Sequence, residues 1–421
     1  MTAREPRAPA VDEATARLLE RARETLGAGG APLLLDAITW PRSVERAFFA
    51  SGAEKLPEPR YNIDRDAVLA KLARLDAFER ELTGDDAIVR LLRSTVESHR
   101  HGCRMILAVG TAELYAVARE AYGGARSGFI DSDTTNLDLA RHLAVRIGSP
   151  REEEDDGARL DAGQMITFLE ERLAKRRHAP DVTFEITEDI SAKVIAGKRR
   201  VRIRADATFD PEEARSLYLH EVETHVFTAQ NGAAQPALPF LQSGGPRSTR
   251  TQEGLAVFAE FYAQALTLPR LKRLVDRVEL VALAEEGASF LDLYRYLLDL
   301  GRTERAAYLD AARVCRGGLT TGGAPFPKDA SYLSGFVEVY DFLRLAVTHD
   351  RADIPEVLVS GRFGLEDVEA LLELRRTGLL EPPAFAPSWV RRYSDLLTHF
   401  AFTSFLTEID LHVVAKRYAW L

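Results

Sequence analysis

The sequence predicts an α+β protein that is mostly helical and carries one small antiparallel sheet. Three observations support this. Apolar residues recur with a helical period over 66–122, over 160–177 and through most of 271–421. β-Branched residues crowd into three short runs between 182 and 204, and two capped helical patterns follow at 210 and 249. No internal repeat and no long low-complexity linker interrupts the chain.

The elements follow in order. Residues 1–30 open on a Pro- and Ala-containing stretch, expected to be loose, and pass through a helical pattern to glycines at 27, 29 and 30. A glycine-containing, acidic stretch at 123–157 separates the first two helical regions. The runs 182–187, 193–195 and 201–204, with a turn at Gly197, read as the antiparallel sheet. Asp210 then offers an N-cap, Pro211 suits the first helical position, and Glu213 is placed to close a capping box. Leu217, Leu219, Val222 and Val226 give this helix an apolar side, and Asn231 with Gly232 offers a left-handed stop. In the next helix Thr249 and Gln252 form a second candidate capping box, and apolar residues run from Leu255 to the break at Pro269. That start puts Glu253 in the first turn.

These two helices hold the strings HEVETH at 220–225 and TQEGLA at 251–256. His220 and His225 supply two imidazoles, and Glu253 adds a carboxylate. Two His and one Glu around an open position make a hydrolytic zinc shell, with Glu221 beside it. The common arrangement places the two His four residues apart on one helical face. Five residues in a regular α-helix rotate by roughly 140°, against about 40° for four, so the imidazoles would diverge. A single-turn π-bulge between His220 and His225 restores the common face, and such bulges gather at functional sites. A chance H-E-x-x-x-H match in a chain with nine His is on the order of one per cent, and the caps and neighbouring strands make a helix of merely satisfied histidines the weaker reading. Glu260 lies on the same face as Glu253 but about 10 Å further along the axis, so only one can be a ligand, and Glu253 is the choice. A sheet beside the histidine helix makes the core zincin-like, and its edge suits an extended peptide.

HEVETH followed by QEGLA resembles the QEGLA-motif family that includes the microtubule-associated tyrosine carboxypeptidases. The stretch RGGLTTGGAPFPKDASYLSGF at 316–336 shares in the resemblance, which covers most of the chain. The resemblance implies one zinc ion held by His220, His225 and Glu253, with Glu221 activating the attacking water. It further implies removal of an aromatic last residue, Tyr or Phe, from a peptide or protein tail.

In that chemistry the metal lowers the pKa of a water toward about 7, Glu221 takes its proton and later protonates the leaving amine, and Tyr332 is the candidate second donor to the oxyanion. An enzyme that trims C-termini must also hold a free carboxylate. Arg316 and Lys328 are the first candidates and Arg250 the next. The glycine pairs at 317–318 and 322–323 suit a flexible loop, and the absence of a Walker pattern argues against nucleotide binding.

Composition agrees with a soluble enzyme. The 421 residues, 46% hydrophobic and 28% charged, suffice for a large core, and residues 31–421 read as one catalytic unit centred on about 180–270. A formal net charge of −9 argues against a broad nucleic-acid surface or attraction to anionic membranes. Short basic runs such as 175–177 and 198–200 read as solvated turns. Cys103 and Cys315 lack metal or redox spacing, and His399 and His412 read as structural. With neither a secretion signal nor an apolar span of ~20 residues, a cytoplasmic location is expected. Oligomeric state is open. So are two other functions, a non-catalytic regulatory protein with a structural metal and a zinc aminopeptidase or endopeptidase, because the shell does not encode which end of a chain is read.

Overall fold

Caps fix where many of the helices begin. In the computed structural model, which describes residues 12–27, 34–130, 132–148, 159–190, 192–407, 410 and 416, Asp64 accepts from the Ala67 N–H and Asp86 from the Val89 N–H. They start the helices Arg65–Glu81 and Ala87–Leu107. Asp161 and Gln164 close a capping box at the head of Ala162–Ala174. Glu13–Gly27 is also helical, and its Leu19, Ala22 and Leu26 enter the largest buried cluster; residues 1–11 and 28–30 of the N-terminal segment lie outside the described residues, as does His412.

That cluster joins Phe78, Leu91 and Leu92 to Phe209, Phe227, Phe240, Phe258 and Phe400, so the helices bearing both motifs share one core with the N-terminal helices. A second cluster gathers Phe48, Phe290, Leu293 and Tyr308 around Val278 and Leu333. Each fully buried Phe contributes on the order of 2–3 kcal/mol. No helix among the described residues is long and apolar enough to cross a membrane.

The sheet has three strands, β1 (Thr183–Thr187), β2 (Val194–Ala196) and β3 (Arg200–Arg204), in the order β1-β3-β2. The expected antiparallel arrangement holds only for β2 and β3, which turn through Gly197. β1 runs parallel to β3, with Thr183 opposite Arg200 and Thr187 opposite Arg204, so the sheet is mixed. The hairpin signal lies in the local sequence, whereas the insertion of β3 between its predecessors is a long-range choice that the run pattern does not encode. β2 is left at an edge, beside the histidine helix.

The histidine helix begins as expected, with Asp210 accepting from the Glu213 N–H at 2.6 Å and Pro211 at the first position. The capping box does not close, because the Glu213 carboxylate takes the Lys193 ammonium at 2.7 Å instead. The helix runs on through Asn231 and Gly232 to Ala234, so the expected stop is absent. Asn231 donates to the carbonyls of Val359 and Phe385 and accepts from the Phe385 N–H, while Gly232 passes against Leu241, whose carbonyl carbon a Cβ would meet at 2.4 Å.

The next helix starts earlier than expected, at Pro246 behind Gly245, and ends at Tyr262. Glu253 therefore sits two turns in, not in the first turn. This helix crosses Ser331–Thr348 with their backbones almost touching at Gly254 and Gly335. A Cβ on Gly254 would lie 2.2 Å from the Gly335 carbonyl oxygen, and one on Gly335 would lie 2.2 Å from that of Arg250. The loop at 316–326 is anchored at both ends, with Gly317, Gly318 and the residues 324–326 buried, while Thr321 and Gly323 at its tip are exposed. Gly317 (φ +74°) donates its N–H to the Tyr61 hydroxyl at 2.7 Å, and the Gly323 N–H donates to Ala284 O at 2.9 Å. Gly318 and Gly322 pass against protein backbone, where a Cβ would lie 2.2 Å from the carbonyl oxygens of Ala324 and Gly287, and Gly317 passes against the Ile38 and Leu114 side chains. Arg176 departs from the solvated reading of its basic run: it is half-buried, bonded to the Tyr218 hydroxyl at 3.0 Å and paired with Glu223.

Candidate metal centre

The segment Tyr218–Val226 is π-helical between the α-helical stretches Pro211–Leu217 and Phe227–Ala234. The expected bulge is present and longer than one turn. A π-turn closes on the fifth residue, which is the spacing of His220 and His225. Thr224 supports the turn by donating its hydroxyl to the Leu219 carbonyl at 3.0 Å. The two imidazoles consequently converge, with centroids 4.9 Å apart and planes at 85°.

Glu253 closes the triangle. Its Oε2 lies 3.4 Å from His220 Nε2 and 3.5 Å from His225 Nε2, and the three ligand atoms lie within 4.8 Å of one another. Tetrahedral ligands about 2.0–2.2 Å from a zinc ion stand roughly 3.3–3.5 Å apart, so these separations fit such an ion. Glu253 Oε2 is buried and has no hydrogen-bond partner in the protein. An ionised oxygen in that position needs a cation. The donor set and the orphaned oxygen together fit a metal.

A surrounding layer holds these ligands. His220 donates from Nδ1 to Glu260 Oε1 at 2.6 Å, which leaves Nε2 facing the site. Glu260 Oε2 accepts from Ser216 at 2.6 Å, and both its oxygens take Arg270 at 3.1 Å. Burial pushes the Glu260 carboxyl up, but Arg270 and His220 outweigh it and hold it down to about 2. Glu260 has no lone pair free for an ion, so Glu253 is the ligand the geometry offers. The other oxygen of Glu253 accepts from Lys328 at 2.7 Å. Burial opposes that charge too, yet Lys328 and the two imidazoles hold Glu253 well below the usual carboxylate range. Lys328 stands on a short turn, Pro327–Ala330, pinned by a two-pronged Arg313–Asp329 pair at 2.7 Å on each side.

The remaining candidates take distinct places. Glu221 is half-buried, and its Oε2 accepts from the backbone N–H of Ala196 on β2 at 3.1 Å. Tyr332 stacks on His220, centroids 6.2 Å apart at 19°, with Lys328 and Arg277 each 5.0 Å from its ring centre. Arg250 is turned to Glu338 at 2.8 Å. Arg316 lies over Phe326, and burial with the nearby Arg313 lowers it to about 10. Of the three expected carboxylate binders, Lys328 is therefore engaged by Glu253 and Arg250 by Glu338.

The sequence pattern did not single out Ser216, Arg270 or Arg362. Ser216 lies one turn before His220, a legible spacing. Arg270 and Arg362 come from separate elements and carry no local signal. Arg362 donates to the carbonyl of His225 at 2.7 Å.

The family model for the microtubule-associated tyrosine carboxypeptidase matches residues 46–408. Among solved structures, metallocarboxypeptidase 1 of Trypanosoma cruzi is similar over 90% of this chain and 95% of its own, at 12% identity and a TM-score of 0.39, too distant to bear on the site. No curated protein matches the chain. Since the matched segment takes in the candidate ligands and most of the chain, this protein belongs to the microtubule-associated tyrosine carboxypeptidase family.

Proposed function

We propose that the protein is a zinc-dependent metallocarboxypeptidase that removes one C-terminal residue, with a preference for Tyr or Phe, from a peptide or protein. The observation that carries this reading is the buried, unpartnered Oε2 of Glu253 facing two imidazole nitrogens. Family membership supports the carboxypeptidase activity and the aromatic preference.

His220, His225 and Glu253 would hold the ion. Zinc bound there supplies Lewis acidity, polarising the scissile carbonyl and making the attacking water more acidic. Glu221 takes the proton of that water and delivers it to the leaving amine. The Ala196 N–H fixes one oxygen of Glu221, which leaves the other to handle the proton. Tyr332, held against His220, donates to the oxygen that becomes charged in the transition state. Lys328 acts on Glu253, neutralising the buried carboxylate and fixing its rotamer. On this reading residues 31–421 act as one catalytic unit centred on this site.

The test is mass spectrometry of a peptide mixture with free and amidated C-termini after incubation with zinc-loaded protein and with Glu221→Gln. Loss of single terminal residues from the free-carboxylate peptides alone, absent in the Glu221→Gln protein although it keeps its zinc, is the expected result. Internal or N-terminal cuts would overturn the substrate polarity. Intact peptides together with unchanged zinc content would favour a structural metal.

A further inference from the structure

Several half-buried arginines are neutralised by a carboxylate: Arg176 by Glu223, Arg270 by Glu260 and Arg313 by Asp329. Three others, Arg277, Arg316 and Arg362, form no ion pair among the described residues. Arg277 covers the Tyr332 ring and Arg316 the Phe326 ring, so each has an aromatic face as partner, and Asp329 acts on both. Arg362 has neither.

Its surroundings are built around it. The Arg362 N–H donates to the Leu241 carbonyl at 2.8 Å, and its Cδ fills the space left by Gly244, where a Cβ would come within 3.3 Å. One terminal nitrogen donates to the His225 carbonyl at 2.7 Å, which ties the guanidinium to the backbone of a metal-site histidine. The Nε is buried and has no partner. The carboxylates whose charge reaches it are Glu253 and Glu221, both of the site and both already held, by Lys328 and by the Ala196 N–H. A buried donor without an acceptor costs about 1–3 kcal/mol. The Nε atoms of Arg250 and Arg316 are orphaned as well, but Arg250 is paired with Glu338 and Arg316 lies over Phe326, whereas among the described residues the only carboxylates acting on Arg362 are the two of the site.

Resting on the reading of the site as a carboxypeptidase centre, we propose that Arg362 binds the α-carboxylate of the substrate's last residue. The guanidinium presents donors in one plane, matched to the two oxygens of a carboxylate. The bond to His225 fixes the plane of that fork relative to the metal ligands, so the distance from scissile carbonyl to terminal carboxylate is set by the protein. A chain end with a free carboxylate can take both donors of this fork, and an amidated end cannot offer it two anionic oxygens.

The experiment compares zinc-loaded wild type, Arg362→Gln, Arg362→Lys and Arg316→Gln on matched peptides ending in a free carboxylate or an amide. In parallel, calorimetry follows N-acetyltyrosine and N-acetyltyrosinamide binding to zinc-loaded Glu221→Gln protein with and without Arg362→Gln. Arg362→Gln is expected to raise KM for the free-carboxylate peptide by about 30-fold or more with zinc content unchanged, to bring N-acetyltyrosine down to the affinity of the amide, and to be partly rescued by lysine. A retained preference for the free carboxylate in Arg362→Gln, or its abolition by Arg316→Gln instead, would overturn the assignment while leaving the enzyme a carboxypeptidase. Internal cleavage by the wild type, or no zinc bound to it, would sink the underlying reading first. If the glutamine variant does not fold, Arg362→Lys must still weaken N-acetyltyrosine relative to the amide, and failure to do so counts against the proposal.

Discussion

His220 Nδ1 and Glu260 Oε1 stand 2.6 Å apart, and the same carboxylate takes Arg270 on both oxygens. One acid thus sets the tautomer of the first histidine and anchors its ring to the helix beyond. Glu260→Gln keeps the size and one acceptor but loses the charge that steadies the imidazole. Zinc affinity should fall by roughly 10–100-fold, as for other partners of metal-binding histidines. Chelator competition with a folded variant measures it, and an unchanged affinity would assign Glu260 to packing alone.

Lys328 is the counter-ion of a buried carboxylate. Lys328→Met leaves Glu253 uncompensated in the absence of metal, at a cost on the order of 3–5 kcal/mol. Zinc should restore much of that loss, so the melting gap between zinc-loaded and chelated protein widens in the variant. Equal losses in both states would show that the lysine serves something other than Glu253.

Gly254→Ala places a methyl group 2.2 Å from the Gly335 carbonyl oxygen and 3.0 Å from a Val339 methyl. The backbone cannot yield there, so the loss is expected to be about 3 kcal/mol or more, or folding fails. Gly102→Ala is the control, because its Cβ would meet only Pro246 carbons at 3.8 Å. That change should be neutral or slightly stabilising in the helix. Urea midpoints of the two variants decide the matter.

Acid sensitivity has a source away from the site. Burial pushes His99 down from 6.5 to about 4, with Lys71 adding to the effect. The unfolded chain therefore binds this proton more readily than the folded one between those values. Stability is full above pH 6.5 and falls as pH drops toward 4, by on the order of 3 kcal/mol for this group. His99→Phe should flatten that part of the profile, read as urea midpoints at pH 7.5 and 4.5. Identical acid slopes in both proteins would discharge His99 from the effect.

Much of this architecture was legible because it is local. The Asp210 cap, the five-residue histidine spacing that forces a π-turn, and the strand runs around Gly197 each follow from residues within one turn or hairpin. Apart from the start of the helix Pro246–Tyr262, earlier than expected, the misreadings involve partners outside the local turn or hairpin. Glu213 left its capping box for Lys193, and Gly232 served Leu241 instead of a helix stop. β3 slipped between β1 and β2, and Lys328 turned to Glu253. The glycine of the QEGLA string is the point where the helix meets the backbone of Gly335, a distant contact that the string itself does not announce. Arg362 was invisible for the same reason, since its meaning comes from His225, 137 positions away.

The bond from Ala196 to Glu221 comes from the main chain. Any residue other than proline at position 196 offers the same N–H. Substitution of the side chain at this edge position therefore leaves the heading of the carboxylate to the backbone, so the strand's outward surface and the aim of Glu221 are set by separate atoms.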